Sequence, residues 1–237
     1  MLNSIKFFIR ALIKNYFDLL GNKFSDPYSI HSYSQEGEDM ILRRIFEGKR
    51  RGFYVDVGAH HPRRFSNTYY FYKEGWRGIN IEPNPEALKA FKLDRPKDIN
   101  LQLGVSDAAS IFEYYYFDEP ALNTFDPNVV KDRLANTSYK VVKKEGVCVE
   151  RLDSLLKKHL PTGQLIDFLS VDVEGLDLAV LRSNDWHLFR PKCVLAEVLN
   201  TPLDEAIKSD LTIFMLEQGY SLFVRTYNTL IFSNKSQ

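Results

Sequence analysis

The chain has 237 residues, a length that suits one domain with at most a small appendage. Lys plus Arg and Asp plus Glu each number 31, so the formal charge is zero, which makes the chain a poor candidate for a general nucleic-acid binder with its basic surface. Hydrophobic residues at 44% and charged residues at 26% sit near globular averages and exclude a disordered chain. The two cysteines, Cys148 and Cys193, have no CxxC company, which argues against a disulfide framework or a structural zinc site and fits a reducing, cytoplasmic compartment.

Residues 1–24 stand apart from the rest. Ile5, Phe8, Ile9, Leu12, Ile13, Tyr16, Phe17 and Leu20 recur at helical spacing, and Lys6, Arg10 and Lys14 share the opposite face. This pattern predicts a basic amphipathic helix. Two readings stand for it: docking on the domain or on a second subunit, or lying in a membrane interface. Arg10 and Lys14 interrupt any signal-peptide core, and no run of about 18 apolar residues predicts a bilayer span. The expected organisation is therefore a helix and linker over 1–26 and one domain over 27–237.

From Tyr33 onward short apolar runs alternate with helical stretches. Strands are expected at Phe53–Val57, Gly78–Ile81, Asn100–Leu103, Ile166–Val171 and Cys193–Val198. Helices are expected at 63–75, 84–93, 152–158, 176–182 and 203–218. Buried strands separated by helices imply an α/β fold, a mostly parallel sheet with helices on both faces. Tyr220–Val224 and Thr229–Phe232 add a closing hairpin, for seven strands in all. Residues 108–150, with Tyr114-Tyr115-Tyr116, break the alternation and read as an insertion near the active face.

The chemistry-bearing residues fall at strand ends, where open α/β sheets bind ligands. Asp56-Val57-Gly58-Ala59-His60 closes the first strand, and its glycine permits close backbone approach. Glu82, about one helix and one strand later, stands where a carboxylate accepts hydrogen bonds from a ribose diol. The dinucleotide fingerprint G-x-G-x-x-G is missing, because His60, His61, Pro62 and Arg63 fill the turn. Ser106-Asp107 follows the third strand and suits an adenine edge or ordinary turn chemistry. Asp172 and Glu174 end the fourth strand and Glu197 the fifth, with Asn200 just beyond. Acids gathered at one rim suit a general base, a metal ligand or an anchor for an amino group.

Together these pieces resemble the FkbM family of S-adenosylmethionine-dependent methyltransferases. Ser34-Gln35-Glu36-Gly37-Glu38-Asp39 looks like the family's opening motif, and Val55 to His60 like its first cofactor loop. Asn80-Ile81-Glu82-Pro83-Asn84 resembles its ribose-binding strand end, and Ser170 to Gly175 its Asp-x-Glu-Gly signature. The resemblance runs from about residue 33 to 200. It implies a Rossmann-like class I methyltransferase sheet with a reversed strand pair at its end. It further implies that S-adenosylmethionine is held by Asp56, Gly58 and Ala59 at the methionine end and by Glu82 and Pro83 at the ribose. Ser106 and Asp107 would approach adenine, Gln35 would close over the site, and Asp172 would lie near the reacting methyl. The family mostly methylates hydroxyls, often of sugars in bacterial polysaccharides and glycoconjugates, which are the acceptors expected here.

A sugar hydroxyl needs a base, and the candidates are Asp172, Glu174, His60 and His61. Acceptor binding is expected from His61, Arg63, Arg64, Asn67 and Glu197, the arginines gripping an anionic sugar or a diphosphate carrier. A divalent metal among Asp172, Glu174, Glu197 and Asn200 is compatible with the donor set, but no spacing here is diagnostic. Two other readings are weighed. Asp172-Val173-Glu174 superficially resembles the metal motif of a glycosyltransferase, and a scaffold that kept the fold and lost the activity would place the work in the N-terminal helix.

Overall fold

The computed structural model describes residues 26, 28–199 and 201–234; the expected N-terminal helix and Asn200 lie outside them. The chain divides into two units, one ending at Ser32 and the other beginning at Tyr33. In the first, Ser29 N–H donates to the Asp26 carbonyl at 2.9 Å and closes a turn. No helix among the described residues is long and apolar enough to cross a membrane.

The second unit opens with α1 (Glu38–Ile45), then alternates β1 (Phe53–Val57), α2 (Tyr69–Lys73), β2 (Arg77–Ile81), α3 (Pro85–Asp94) and β3 (Ile99–Leu101). After an insertion come α5 (Leu152–His159), β7 (Phe168–Val171), α6 (Asp177–Arg182) and β8 (Cys193–Glu197). It closes with α7 (Leu203–Ala206), α8 (Asp210–Glu217), β9 (Tyr220–Arg225) and β10 (Thr229–Asn234). The seven strands form one sheet in the order β3-β2-β1-β7-β8-β10-β9. All neighbours are parallel except β10, which is antiparallel to both β8 and β9. The α/β class, the seven strands and the reversed terminal hairpin all match expectation.

Strand parity sorts the core. Val55, Val57, Leu169, Val171, Val194 and Ala196 face one side, under Leu152, Leu155, Val180, Leu181, Leu211 and Met215. Tyr54, Phe168 and Leu195 face the other, under Leu42, Phe46, Phe71 and Trp76. Helices thus cover both faces, and fully burying each such aliphatic or aromatic side chain contributes roughly 1.5–3 kcal/mol.

Three expected elements differ. The helix expected at 63–75 shrinks to α2, because Phe65 adopts a left-handed φ of 57° and the Ser66 hydroxyl accepts from the N–H of Tyr69 at 3.1 Å, making 63–68 a loop. The helix expected at 203–218 splits in two. Ser209 restarts it by capping Thr212 N–H at 3.2 Å. The insertion carries regular structure of its own. It forms a second sheet in the order β4-β6-β5, from β4 (Gly104–Val105), β5 (Ser110–Phe117) and β6 (Val141–Glu150), with α4 (Pro127–Asn136) between the last two. Its residues alternate: Tyr114 and Tyr116 pack with Phe125, while Tyr115 and Phe117 pack with Val130 of α4.

Candidate active site

Register aligns the rim. Val57 pairs with Ile81 on one side and with Val171 on the other, and Val171 pairs with Ala196. Gly58, Glu82, Asp172 and Glu197 therefore emerge along one carboxyl edge. Thr229 joins them because β10 begins opposite Glu197. The chain leaves β1 toward β2 on one side, while β7 flanks it on the other. The edge between β1 and β7 is thus the topological switch point of the sheet.

A cleft with about 690 Å³ of empty space, its open mouth included, lies over that edge. Gly58, Glu82, Pro83, Asp172 and Glu174 line it, with Gln35 and His60. The opposite wall belongs to the insertion and its approach: Leu103, Gly104, Val105, Tyr114, Asn123 and Phe125. Its mixed apolar and polar lining suits a small organic ligand.

Glu82 is 4% exposed at one end of the cleft. One carboxylate oxygen accepts the N–H of His60 at 2.8 Å and the other that of Asn84 at 2.8 Å. Burial pushes Glu82 up to about 7 despite these two bonds. A carboxylate offers about four acceptor directions, so both oxygens can take a further donor.

The other end is a carboxylate cluster. Asp172 opens into the cleft yet is ringed by protein, and desolvation, then Glu174 and Asp177, push it well above the usual carboxylate range. Desolvation and then Asp172 push Glu197 up as well. Burial raises Asp177 to about 7, although it accepts the N–H of Glu197 at 3.3 Å. Glu174 is raised by desolvation, against the pull of Arg133, whose guanidinium donates to its carboxylate. One oxygen of each of Asp172, Glu174 and Glu197 lies within 4.8 Å of the others. Such a set can share protons or hold a cation.

Several expected residues lie elsewhere. Asp56 follows Tyr54 in parity and points beneath the sheet, where Thr68 Oγ1 donates to it at 2.7 Å; it does not line the cleft. Ala59 spends its N–H on the Ile81 carbonyl at 3.2 Å. Ser106 is buried and Asp107 turns to Arg151 through its carbonyl, so neither reaches the cleft. His60 does line it, but beside Glu82 and far from the acids in its bonding. Burial first, then Arg64, lowers it to about 4, which argues against a base role near neutrality. His61 caps its own loop, accepting the N–H groups of Arg63 and Arg64 at 3.0 and 2.9 Å. Arg63 pairs with Asp94 at 2.8 Å and Arg64 with Glu119 at 2.9 Å, so the arginines expected to grip an anion are engaged. Asn67 donates to Ser170 Oγ at 3.0 Å and stays near the acids.

The sequence reading missed Phe65, Tyr114, Asn123, Phe125, Arg133 and Asp177. Asp177 follows Glu174 by three positions, a spacing that was available as a signal. The insertion was expected near the active face, but the strand β5 within it was not, although its aromatics recur in one run.

A model of the methyltransferase FkbM domain matches residues 56–222. The matched span begins at Asp56, so the motif at Ser34–Asp39 precedes it. No curated protein matches the chain. Among solved structures the chain is similar to a TehB-like SAM-dependent methyltransferase from Corynebacterium glutamicum, with 12% identity, a TM-score of 0.39, and coverage of 95% of this chain and 100% of that one. It is also similar to a protein described as an RNA methyltransferase from Pyrococcus horikoshii, with 11% identity, a TM-score of 0.42, and coverage of 91% and 96%. The family match spans most of the sheet and both ends of the cleft, and the chain belongs to the FkbM family of SAM-dependent methyltransferases.

Proposed function

We propose that the protein is an O-methyltransferase that moves a methyl group from S-adenosylmethionine to a sugar hydroxyl, in polysaccharide or glycoconjugate biosynthesis. The observation that carries the reading is the polarity of the cleft: a ribose-type carboxylate, Glu82, at one end and a cluster of proton-accepting carboxylates around Asp172 at the other. The sugar comes from the family resemblance.

The residues present fit the cofactor. Glu82 is held by two backbone N–H groups with acceptor capacity to spare for a diol. Leu103, Val105, Tyr114 and Phe125 offer an apolar slot for a flat base. Gly58 lines the cleft and lets the ends of β1 and β7 approach backbone to backbone. When bound, the cofactor supplies a methyl group on a positively charged sulfur, already a good leaving group.

The protein's tasks are then alignment and proton removal. Holding two reactants in line corresponds to effective molarities of about 10⁵–10⁸ M. A positioned base contributes roughly 10²–10⁴-fold. Carboxylates raised by burial and mutual repulsion are stronger bases than ordinary ones, which suits a hydroxyl that is barely acidic.

Calorimetry with S-adenosylmethionine and S-adenosylhomocysteine, with NAD⁺ and a UDP-sugar as controls, tests the cofactor half. Micromolar binding of the first pair alone is expected. Binding of the UDP-sugar alone would replace the reading by a glycosyltransferase. Transfer of labelled methyl to a panel of glycosides tests the acceptor half.

A further inference from the structure

The loops that enter β1, β7 and β8 meet at the amino edge of the sheet, opposite the cleft. Tyr54 pairs with Phe168 and Phe168 with Cys193, so the residues just before them stand side by side. Asp167 N–H donates to the Phe53 carbonyl at 2.7 Å, and Cys193 N–H to the Asp167 carbonyl at 3.0 Å. The chain is neutral as a whole, yet this edge gathers cations. Residues 43–51 hold Arg43, Arg44, Lys49, Arg50 and Arg51 against one acid, Glu47. Two open hollows flank the turn from Phe46 to Lys49. Arg43, Lys49 and Arg50 line one, and Lys49 and Lys192 line the other. From this placement we propose that the amino edge of the sheet docks on an anionic lipid bilayer.

Pairing within the fold accounts for only part of the charge. Arg43 pairs with Asp39 at 2.8 Å and Arg44 with Glu47 at 2.6 Å, and Lys49 donates to the buried Asp167. Arg43 and Arg44 also complement the C-terminal dipole of α1. Arg50, Arg51 and Lys192 lie outside any helix, and among the described residues they pair with no acid. Glu74, across the first hollow, opposes them with a single charge.

Apolar side chains stand out on the same edge. Leu165, on the loop into β7, is 75% exposed, and Leu188, on the loop into β8, is 63% exposed. Cations beside protruding leucines match a bilayer, whose headgroups take the charge and whose acyl boundary takes the side chains. A nucleic acid would stack its bases on open aromatic faces. Here Trp76 is buried and the Arg43 guanidinium covers the Tyr70 ring at 3.5 Å. The basic amphipathic pattern of residues 1–24 calls for the same partner, and weak membrane anchors act in pairs. Docking by the amino edge turns the cleft toward solution, one strand length away: β1 has five residues, roughly 17 Å.

Flotation of the full chain tests this with phosphatidylcholine vesicles carrying about 30% phosphatidylglycerol, in about 0.1 M salt, beside vesicles of phosphatidylcholine alone. Partition onto the anionic vesicles should exceed that onto the neutral ones about tenfold or more and fade in about 1 M salt. A cation next to such a surface strengthens binding about fivefold, so Arg50→Glu with Arg51→Glu should weaken partition about 25-fold or more. Lys192→Glu alone should weaken it about fivefold, which keeps the test open if the double variant misfolds. Lys131→Glu with Lys140→Glu makes the same change in net charge on exposed residues of the insertion, and should weaken partition less than about threefold. Unchanged melting temperatures establish that the variants are folded. Equal partition onto the two kinds of vesicle, or onto neither, overturns the proposal. So does equal loss in the two double variants, or Arg50→Glu with Arg51→Glu within about threefold of wild type. A short RNA or polyglutamate that displaces the vesicles at lower concentration than soluble phosphatidylglycerol headgroup overturns it in favour of that polyanion.

Discussion

A Cβ built on Gly58 would stand 1.7 Å from the carbonyl oxygen of Asp172. The end of β1 and the end of β7 therefore touch backbone to backbone, and only glycine permits it. Gly58 also holds a φ of 77°, in the left-handed region. Gly58→Ala pays about 1–2 kcal/mol in backbone strain and must also push Asp172 out of line. The expected outcome is a lower melting temperature and an affinity for S-adenosylhomocysteine reduced about tenfold or more by calorimetry. Unchanged affinity would mean that the contact between these strand ends does not shape the cleft.

On the proposed function, Glu82 should make cofactor affinity depend on pH. Burial raises it from 4.5 to about 7, backbone N–H groups of Asn84 and His60 pull it down, and Asp56 adds a small upward push. A raised acid binds its proton more tightly in the folded protein, so its contribution to stability is greatest at low pH and is lost as pH rises through about 7. A ribose diol donates to the ionised form and reverses the preference. Affinity for S-adenosylhomocysteine should then rise about tenfold from pH 6 to pH 8, with proton release on binding. Calorimetry in buffers of different ionisation enthalpy reads both. Glu82→Gln should flatten the profile, and a profile that stays steep in that variant would assign it to another group.

The sheet was legible because its strands are apolar runs that stop at glycine or at an acid, as Phe53–Val57 stops at Gly58. The placement of Asp56 was legible too, through parity. It alternates with the inward Val55 and Val57, and so belongs with Tyr54 on the other face. Reading it as a cofactor ligand ignored that alternation. The loop at 63–68 was not legible, because it runs straight into the aromatics of α2, and its left-handed Phe65 rests on local contacts with Arg64 and His60 that no apolar period announces. The docking of the insertion at the active face was expected, and Tyr114, Asn123 and Phe125 wall the cleft, but its own sheet was not foreseen. That docking rests on pairs distant in sequence, such as Thr124 donating to the Glu174 carbonyl at 2.9 Å.

Arg133 ties the insertion to the cleft. It donates to the Leu122 carbonyl at 2.6 Å and to the Glu174 carboxylate, with the paired side chains 11% and 14% exposed. Breaking a buried pair from one side costs about 3–5 kcal/mol, and partial exposure puts this one at the lower end. Arg133→Met should therefore lower stability by about 3 kcal/mol in urea unfolding. Combining it with Glu174→Gln should recover much of the loss, because no orphaned charge remains. Additive losses in the double variant would show that the pair carries no coupling.

The same guanidinium bears on metal dependence. Asp172, Glu174 and Glu197 are spaced for a divalent cation, but Arg133 already balances Glu174 and occupies one of its oxygens. Asp172 and Glu197 alone make a poor oxygen cage for magnesium. Methyl transfer should be unchanged by EDTA and by millimolar magnesium. Loss of transfer in EDTA, restored by magnesium, would mean that Arg133 yields Glu174 to an ion during turnover.

Beneath the loop that follows β1, Arg95 is 0% exposed and holds the loop from inside. Its guanidinium donates to the Pro62 carbonyl at 2.6 and 2.9 Å, to Ser66 Oγ at 2.7 Å and to Thr68 Oγ1 at 2.7 Å. Thr68 passes the contact on to Asp56 at 2.7 Å. Asp98 closes the network, accepting Tyr54 OH at 2.6 Å and Asn80 Nδ2 at 3.0 Å. Two buried acids thus depend on one buried cation. Arg95→Met removes that cation, strands Asp56 and Asp98, and frees the loop that carries His60, Phe65 and Asn67. Stability at pH 7 should fall by about 3–5 kcal/mol. Asp56→Asn added to Arg95→Met should recover part of it, whereas Asp56→Asn alone should cost less than Arg95→Met because Thr68 keeps a partner. Affinity for S-adenosylhomocysteine at a temperature where Arg95→Met stays folded separates the two consequences. A weakened affinity shows that Arg95 shapes the loop, and an unchanged one confines it to holding the core.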